Sequence, residues 1–298
     1  MCGIVGLFLK DQKLEAELGS LLASMLCVMT DRGPDSAGFA VYGAGDKDKV
    51  KLSLRAAPGY DFAGLAAGLS VPAGGLPAVS VRGTHGVIEV APEREGAVRA
   101  FLAARHPEVA VVGTGSRMEI FKEVGLPSSV AETFGLATMR GTHGIGHTRM
   151  ATESAVTTAG AHPFSTGADQ CLVHNGSLSN HNALRRTLKR EGIAIETDND
   201  SEVAAGYLTW RMRQGASLGE ALEAGLKDLD GFFTFVVGTE NGFGVLRDPI
   251  ACKPAVMAET DQYVAFGSEY RALVDLPGIS TAKVFEPEPA TVYFWERA

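Results

Sequence analysis

The chain has no CxxC pair, no basic block and no apolar run long enough to cross a bilayer. Each absence removes a class of function. The four cysteines, Cys2, Cys27, Cys171 and Cys252, are too widely spaced for paired zinc ligands and too few for a disulfide framework. That usage predicts reduced thiols and a cytoplasmic location. Acidic residues outnumber basic ones, 35 against 27, for a formal net charge of −8. The cations are scattered, with no basic run longer than LRRTLKR. Neither nucleic acid nor a membrane surface is therefore an expected partner. No stretch of about 18 uncharged apolar residues exists, so no membrane span is predicted. The short apolar run at the N-terminus lacks the positive flank of a secretory signal. No metal-ligand cluster and no Gly-rich phosphate loop stands out, so no metal or cofactor is expected. What remains is ordinary globular composition, 45% hydrophobic and 21% charged.

The hydrophobic pattern predicts strands at both ends with helices between. GIVGLFL at 3–9 reads as a buried strand, and the apolar spacing over 13–30 reads as a helix broken by DRGPDSAG. GFAVYG is a second strand. Residues 43–140 have a less clear character. Within them AVSVRGTHGVIEVA is strand-like, EREGAVRAFLAARH is helix-like and AGGLPA is a loop. From 141 the punctuation becomes dense. GIGHTRMAT is a strand ending in a polar loop, and QCLVHNGSLSN is a strand running into a turn at Asn175-Gly176. NHNALRRTLKREG, NDSEVAAGYLTWRMRQG and SLGEALEAGLKDL are helices. GFFTFVVGTENGFGVLRDP is a hairpin turning at 240–242, and QYVAFGSE and ATVYFWE are further strands. The pattern fits an α+β or layered fold with no internal repeat, read as a single domain over 2–298.

Cys2 lies directly behind Met1. If Met1 is removed, one residue carries both a thiol and an α-amine, and the amine can take the thiol proton and return it to a leaving group. A small buried hydrophobe is the other reading of a free cysteine. Three segments add to it. Arg149 in HTRMAT can hold a carboxylate bidentately, or form a surface ion pair. Asn175 and Gly176 in VHNG can converge on an oxyanion, or make a plain turn. Asp200 and Glu202 in NDSE can grip an ammonium, or serve only a helix start. Together they describe a pocket for an amino acid with an acyl side chain open to thiolate attack. Glutamine fits.

The segments MCGIVG, DRGPDSAG, GIGHTRMAT, AHPF, VHNG, DSE, GFFTFVV, RDPIACKP and FGSE stand in an order that resembles the class II glutamine amidotransferases, which are N-terminal nucleophile hydrolases. The match covers residues 1–42 and about 141–275. The resemblance implies a four-layer αββα sandwich, two antiparallel sheets flanked by helices. It implies that Cys2 attacks the glutamine amide to form a glutamyl thioester. It assigns Asn175 and Gly176 to the oxyanion hole, Arg149 to the substrate carboxylate and Asp200 to its amino group. Thr152 falls in the loop that closes over glutamine. Arg32 reads as structural support near the nucleophile, and Arg247 and Asp248 as a supporting turn. His147, His162 and His174 read as structural, because the amine already supplies the base.

Most members of the family are fused to an acceptor domain, and this chain ends about 25 residues beyond FGSE. A separate acceptor subunit is therefore expected. The resemblance extends to the amidotransferase subunits of glutamate-synthase-like complexes, whose partners carry FMN and iron–sulfur centres. N-methylglutamate synthase is one such system. A catalytically silent scaffold is the alternative. Residues 43–140 exceed what compact members need, and read as a docking surface or as elaborated core.

Overall fold

The computed structural model describes residues 2–151 and 155–297. Its architecture follows from strands that are apolar on both faces. In Gly3–Leu9, Ile4 and Phe8 point one way and Val5, Leu7 and Leu9 the other, and all five are at most 2% exposed. A strand with two buried faces needs a layer on each side, which is why it reads as a continuous apolar run.

This strand sits inside a seven-stranded antiparallel sheet. In spatial order the strands are Lys283–Phe285, Val256–Glu259, Tyr263–Gly267, Gly3–Leu9, His143–Arg149, Ser36–Tyr42 and Met118–Val124. A five-stranded antiparallel sheet faces it, in the order Val292–Glu296, Gly242–Arg247, Gly231–Gly238, Gln170–Leu178 and Phe164–Gly167. Ile4, Phe8, Ile145, Met257 and Phe266 from the first sheet meet Val173, Val236, Phe243 and Val245 from the second. Each large side chain sealed there is worth about 1.5–3 kcal/mol of transfer free energy. The outer face of the seven-stranded sheet is covered by the helix Leu18–Cys27, and that of the five-stranded sheet by Asp200–Arg213 and Leu218–Asp228. The result is the expected αββα sandwich.

Two expectations need correction. The predicted helix over 13–30 is a short 3₁₀ turn, Gln12–Leu14, followed by a helix confined to Leu18–Cys27. Apolar periodicity runs through both pieces, so it could not mark the break. Asn175-Gly176 is not a turn. The strand Gln170–Leu178 continues through it, with Asn175 opposite Thr234 and Gly176 opposite Phe233. Cross-strand pairing with Gly231–Gly238 overrides the local turn preference of Asn-Gly.

Residues 43–140, read as a docking surface or as elaborated core, build strands and helices of their own. Ala78–Arg82, His85–Val90, Val50–Arg55 and Ala110–Gly115 form a third, four-stranded antiparallel sheet. Its own core joins Leu52, Leu54 and Ile88 to Phe62 and Leu65 of the helix Phe62–Gly68 and to Val98 and Leu102 of the helix Glu95–Arg105. Asp169 ties this sheet to the sandwich. Its carboxylate accepts from the backbone N–H groups of Ser116, Arg117 and Met118 at 2.6, 2.9 and 2.9 Å, and its own N–H donates to the Thr114 carbonyl at 2.8 Å. Among the described residues no helix is long and apolar enough to cross a membrane.

Candidate active site

The pairing that builds the sandwich also assembles a cleft. Gly3 stands opposite Thr148, so Cys2 and Arg149 emerge side by side at one end of the seven-stranded sheet. Asn175 and Gly176 come from the facing sheet, and Asp200 from the first turn of the helix Asp200–Arg213. All five line one open cleft of about 790 Å³, together with Met150, Gly160, Ser177, His181, Asn199, Phe232 and Lys253. Thr152 lies outside the described residues.

Cys2 is held by its backbone while its side chain is left half-exposed. Arg32 Nε and Asn175 Nδ2 both donate to the Cys2 carbonyl oxygen, at 2.9 and 3.2 Å. The Arg32 guanidinium is itself anchored by Glu269 at 2.7 Å, and the Arg32 side chain is 7% exposed. Charged pairing of this kind orients a planar guanidinium well. The Cys2 thiol is 4.0 Å from the Met150 carbonyl oxygen. The turn carrying that carbonyl is braced by Asp35, whose Oδ2 accepts from the Ala151 N–H at 2.8 Å.

Gly176 has φ +152°, and a Cβ there would collide with the Phe232 carbonyl oxygen and come within 2.7 Å of Phe233 Cα. Only glycine fits so close to the neighbouring strand. Arg149 is buried at the end of its strand, and its Nη1 donates to the Ala155 carbonyl at 3.4 Å. Asp200 is not the helix cap. Asn199 is, its side chain accepting from the Ser201 N–H at 2.9 Å. One Asp200 oxygen accepts from the Leu178 N–H at 2.8 Å, and the other is 3.4 Å from the Ser201 hydroxyl. Its partly exposed carboxylate therefore stands at a helix N-terminus facing the cleft.

Glu202, two residues on, is used differently. Its carboxylate accepts from the Glu196 and Thr197 N–H groups and the Thr197 hydroxyl, at 2.6 to 2.8 Å, and it lines a second cavity rather than the cleft. Asp200, unlike Glu202, lines the cleft, as does the exposed Asp198.

The three histidines form a buried cluster, and His162 and His174 also line the cleft. The His147 and His162 rings stack with centroids 3.9 Å apart, and His147 Nε2 donates to the His174 carbonyl at 3.0 Å. Ser201 Oγ bridges His162 Nε2 and His174 Nδ1, each at 2.9 Å. Burial pushes His147 down to about 3, His174 to about 4 and His162 well below its usual value. Groups so weakly basic are neutral near pH 7 and poorly matched to general-base work. Ser201 was not singled out in the sequence, yet it links the cluster to Asp200. Lys253 and Phe232 were also missed, the ammonium 5.0 Å above the ring centroid at the cleft wall. Arg247 positions that segment by donating to the carbonyls of Ala251 and Lys253, at 2.7 and 3.0 Å. Asp248 accepts from the Phe233 and Ile250 N–H groups.

The glutamine amidotransferase domain model matches residues 147–275. The chain is 65% identical over 298 residues to the glutamine amidotransferase-like protein GlxB of Rhizobium meliloti, across 99% of this chain and 98% of that one. The chain belongs to the class II glutamine amidotransferase family. A putative glutamine amidotransferase of Methanothermobacter thermautotrophicus is 34% identical to it over 304 residues, covering 98% of this chain and 99% of that protein. Glutamine–fructose-6-phosphate aminotransferase of Vibrio vulnificus is 37% identical over 133 residues, which are 45% of this amidotransferase and 22% of that enzyme. The fold is shared with glutamine phosphoribosylpyrophosphate amidotransferase from B. subtilis, at TM-score 0.62 and 19% identity. That likeness covers 99% of this amidotransferase and 47% of the other chain.

Proposed function

We propose that this amidotransferase hydrolyses the side-chain amide of L-glutamine with Cys2 as nucleophile, after Met1 is removed, and passes the ammonia to a separate synthase subunit. The observation that carries the reading is the convergence of a thiol, a guanidinium, a carboxylate and a carboxamide on one cleft. Arg149 takes the glutamine α-carboxylate and Asp200 the α-ammonium, which leaves the side-chain amide directed at Cys2. Thr152 belongs to the loop that closes over the substrate.

The Cys2 amine accepts the thiol proton, and the sulfur attacks the amide carbon. The C–S bond forms, and the carbonyl oxygen becomes an oxyanion bonded by the Asn175 carboxamide and the Gly176 N–H. The Asn175 amide donates to the Cys2 carbonyl at 3.2 Å, which holds it beside the nucleophile. Collapse breaks the C–N bond, and the proton held by the amine leaves with the nitrogen as ammonia. Water then attacks the thioester, releasing glutamate and restoring the thiol. Preorganised donors of this kind are worth roughly 10²–10³ in rate each.

The acceptor is a glutamate-synthase-like assembly with FMN and iron–sulfur subunits, of the N-methylglutamate synthase kind. That the acceptor is a separate subunit is supported by two relatives, at 65% and 34% identity, that this chain matches over 98% and 99% of their own lengths; the kind of acceptor rests on the sequence resemblance alone.

The test is ammonia and glutamate release by protein from its native source, with the N-terminal mass measured on the same sample. The expected result is loss of Met1 and turnover that Cys2→Ala abolishes without a change in circular dichroism. Wild-type rates in Cys2→Ala would remove the nucleophile. Retained Met1 with no turnover would favour the silent scaffold. Sequencing the subunits that co-purify identifies the acceptor, and a partner without FMN or iron–sulfur centres would overturn that part.

A further inference from the structure

A second cavity, of about 170 Å³, lies where the four-stranded sheet meets the sandwich. It has room for about five waters at their liquid volume. It is lined by Arg55 at the end of Val50–Arg55, by Lys122 from Met118–Val124, and by Thr158, Ser165 and Glu202. Ala159 and Thr197 line both this cavity and the cleft.

Two cations meet here without a carboxylate partner. Neither Arg55 nor Lys122 joins an ion pair within 4.0 Å among the described residues. Lys122 is 4% exposed and, among the described residues, donates to the Ala161 and Pro163 carbonyls, at 2.8 and 3.2 Å, beneath the Phe164 ring. Arg55 Nε is shut off from solvent and has no acceptor among the described residues. The nearby carboxylates are already committed. Glu202 is saturated by the 196–197 backbone and Thr197, Glu95 pairs with Arg99 at 2.8 Å, and Glu123 accepts from Thr158 and Thr84, while Glu196, which also lines the cavity, is exposed to solvent. Buried donors are nearly always satisfied, and a guanidinium beside an ammonium is completed best by an oxyanion.

We propose that this cavity binds a small oxyanion, a carboxylate or a phosphate, between Arg55 and Lys122. The site is separate from the glutamine cleft and stands whether or not Cys2 is a nucleophile. Burial lowers Lys122 to about 8, and Arg55 adds to that while Glu202 opposes it. A bound anion would reverse the lowering, as a neighbouring negative charge does.

The experiment is calorimetric titration of the full chain with inorganic phosphate and, separately, with succinate. Either anion binding at one equivalent supports the site, and the tighter of the two names the natural class. Arg55→Met should weaken binding at least about tenfold, whereas Arg55→Lys keeps the charge and most of the affinity. Arg149→Met removes the guanidinium of the cleft and should leave anion binding unchanged. Should Arg55→Met unfold, Arg55→Gln takes its place with the same expected loss. Absence of millimolar or tighter binding by either anion would overturn the proposal, as would binding lost in Arg149→Met and retained in Arg55→Met.

Discussion

The sandwich and the four-stranded sheet of residues 50–115 bury their strands differently. Sandwich strands such as Gly3–Leu9 and Tyr263–Gly267 are covered on both faces, and every one of their residues is buried. The four-stranded sheet has a largely exposed edge strand, Ala78–Arg82, and a single small core. The sandwich also carries the cleft and most of the buried polar chemistry. Four of the five strongly depressed histidines, His143, His147, His162 and His174, lie on its strands or beside them, and His85 is the one in the four-stranded sheet. Two buried faces make a rigid frame on which side chains can be aimed. One face and an open edge make an accessory layer.

Acid should break the two regions unequally and by the largest margin. Burial pushes His85, His143 and His147 down to about 3, His174 to about 4 and His162 well below its usual value. The unfolded chain then binds more protons than the folded one from about pH 3 up to the ordinary histidine value near 6.5. Stability is therefore full above about pH 6.5 and falls as pH drops through that window. Each histidine costs about 2 kcal/mol between pH 6.5 and 5. Melting curves across that range should show a steep loss. A flat profile would mean that the cluster is protonated in the folded state.

Within the sandwich, Asn175→Ala should cost about 10²–10³-fold in glutamine turnover with little change in melting temperature. A change below about twofold would take the carboxamide out of the site. Leu54→Ala, in the small core of the four-stranded sheet, should cost about 2–5 kcal/mol of stability. Glutamine turnover by the folded fraction should stay near wild type. If that turnover collapses, the four-stranded sheet shapes the cleft and the contrast between frame and accessory layer fails. The smallest effect is expected at Asp61. Its carboxylate caps the helix Phe62–Gly68 through the Gly64 N–H at 2.9 Å. Asp61→Ala should cost about 1 kcal/mol, read as a lower denaturant midpoint.

Strands such as Gly3–Leu9 and Gly231–Gly238 were legible because two buried faces leave an apolar run, whereas Met118–Val124, Phe164–Gly167, Val256–Glu259 and Lys283–Phe285 were not singled out. The candidate site was legible because its residues sit in short ordered motifs. Thr158, Ala159 and Lys253 were not singled out, since each gains meaning only from what packs against it. Asn175-Gly176 misled for the same reason. Its turn preference is local, and eight consecutive pairings with Gly231–Gly238 outweigh it. Ala78–Arg82, His85–Val90 and the helix Glu95–Arg105 were legible one by one, but their assembly with Val50–Arg55 and Ala110–Gly115 into a third sheet was not, because pairing between distant segments leaves no local period.

By itself the sequence determined the residue types, the order of the motifs and the alternation that places Ile4 and Phe8 opposite Val5 and Leu7. Those are local properties, set by side-chain chemistry and the period of a strand. Only the tertiary structure decided that Asp200 faces the cleft while Glu202 is spent on its own backbone, and that Arg55 and Lys122 share a cavity. Such assignments depend on distances between segments far apart in the chain, which burial and hydrogen-bond satisfaction settle together.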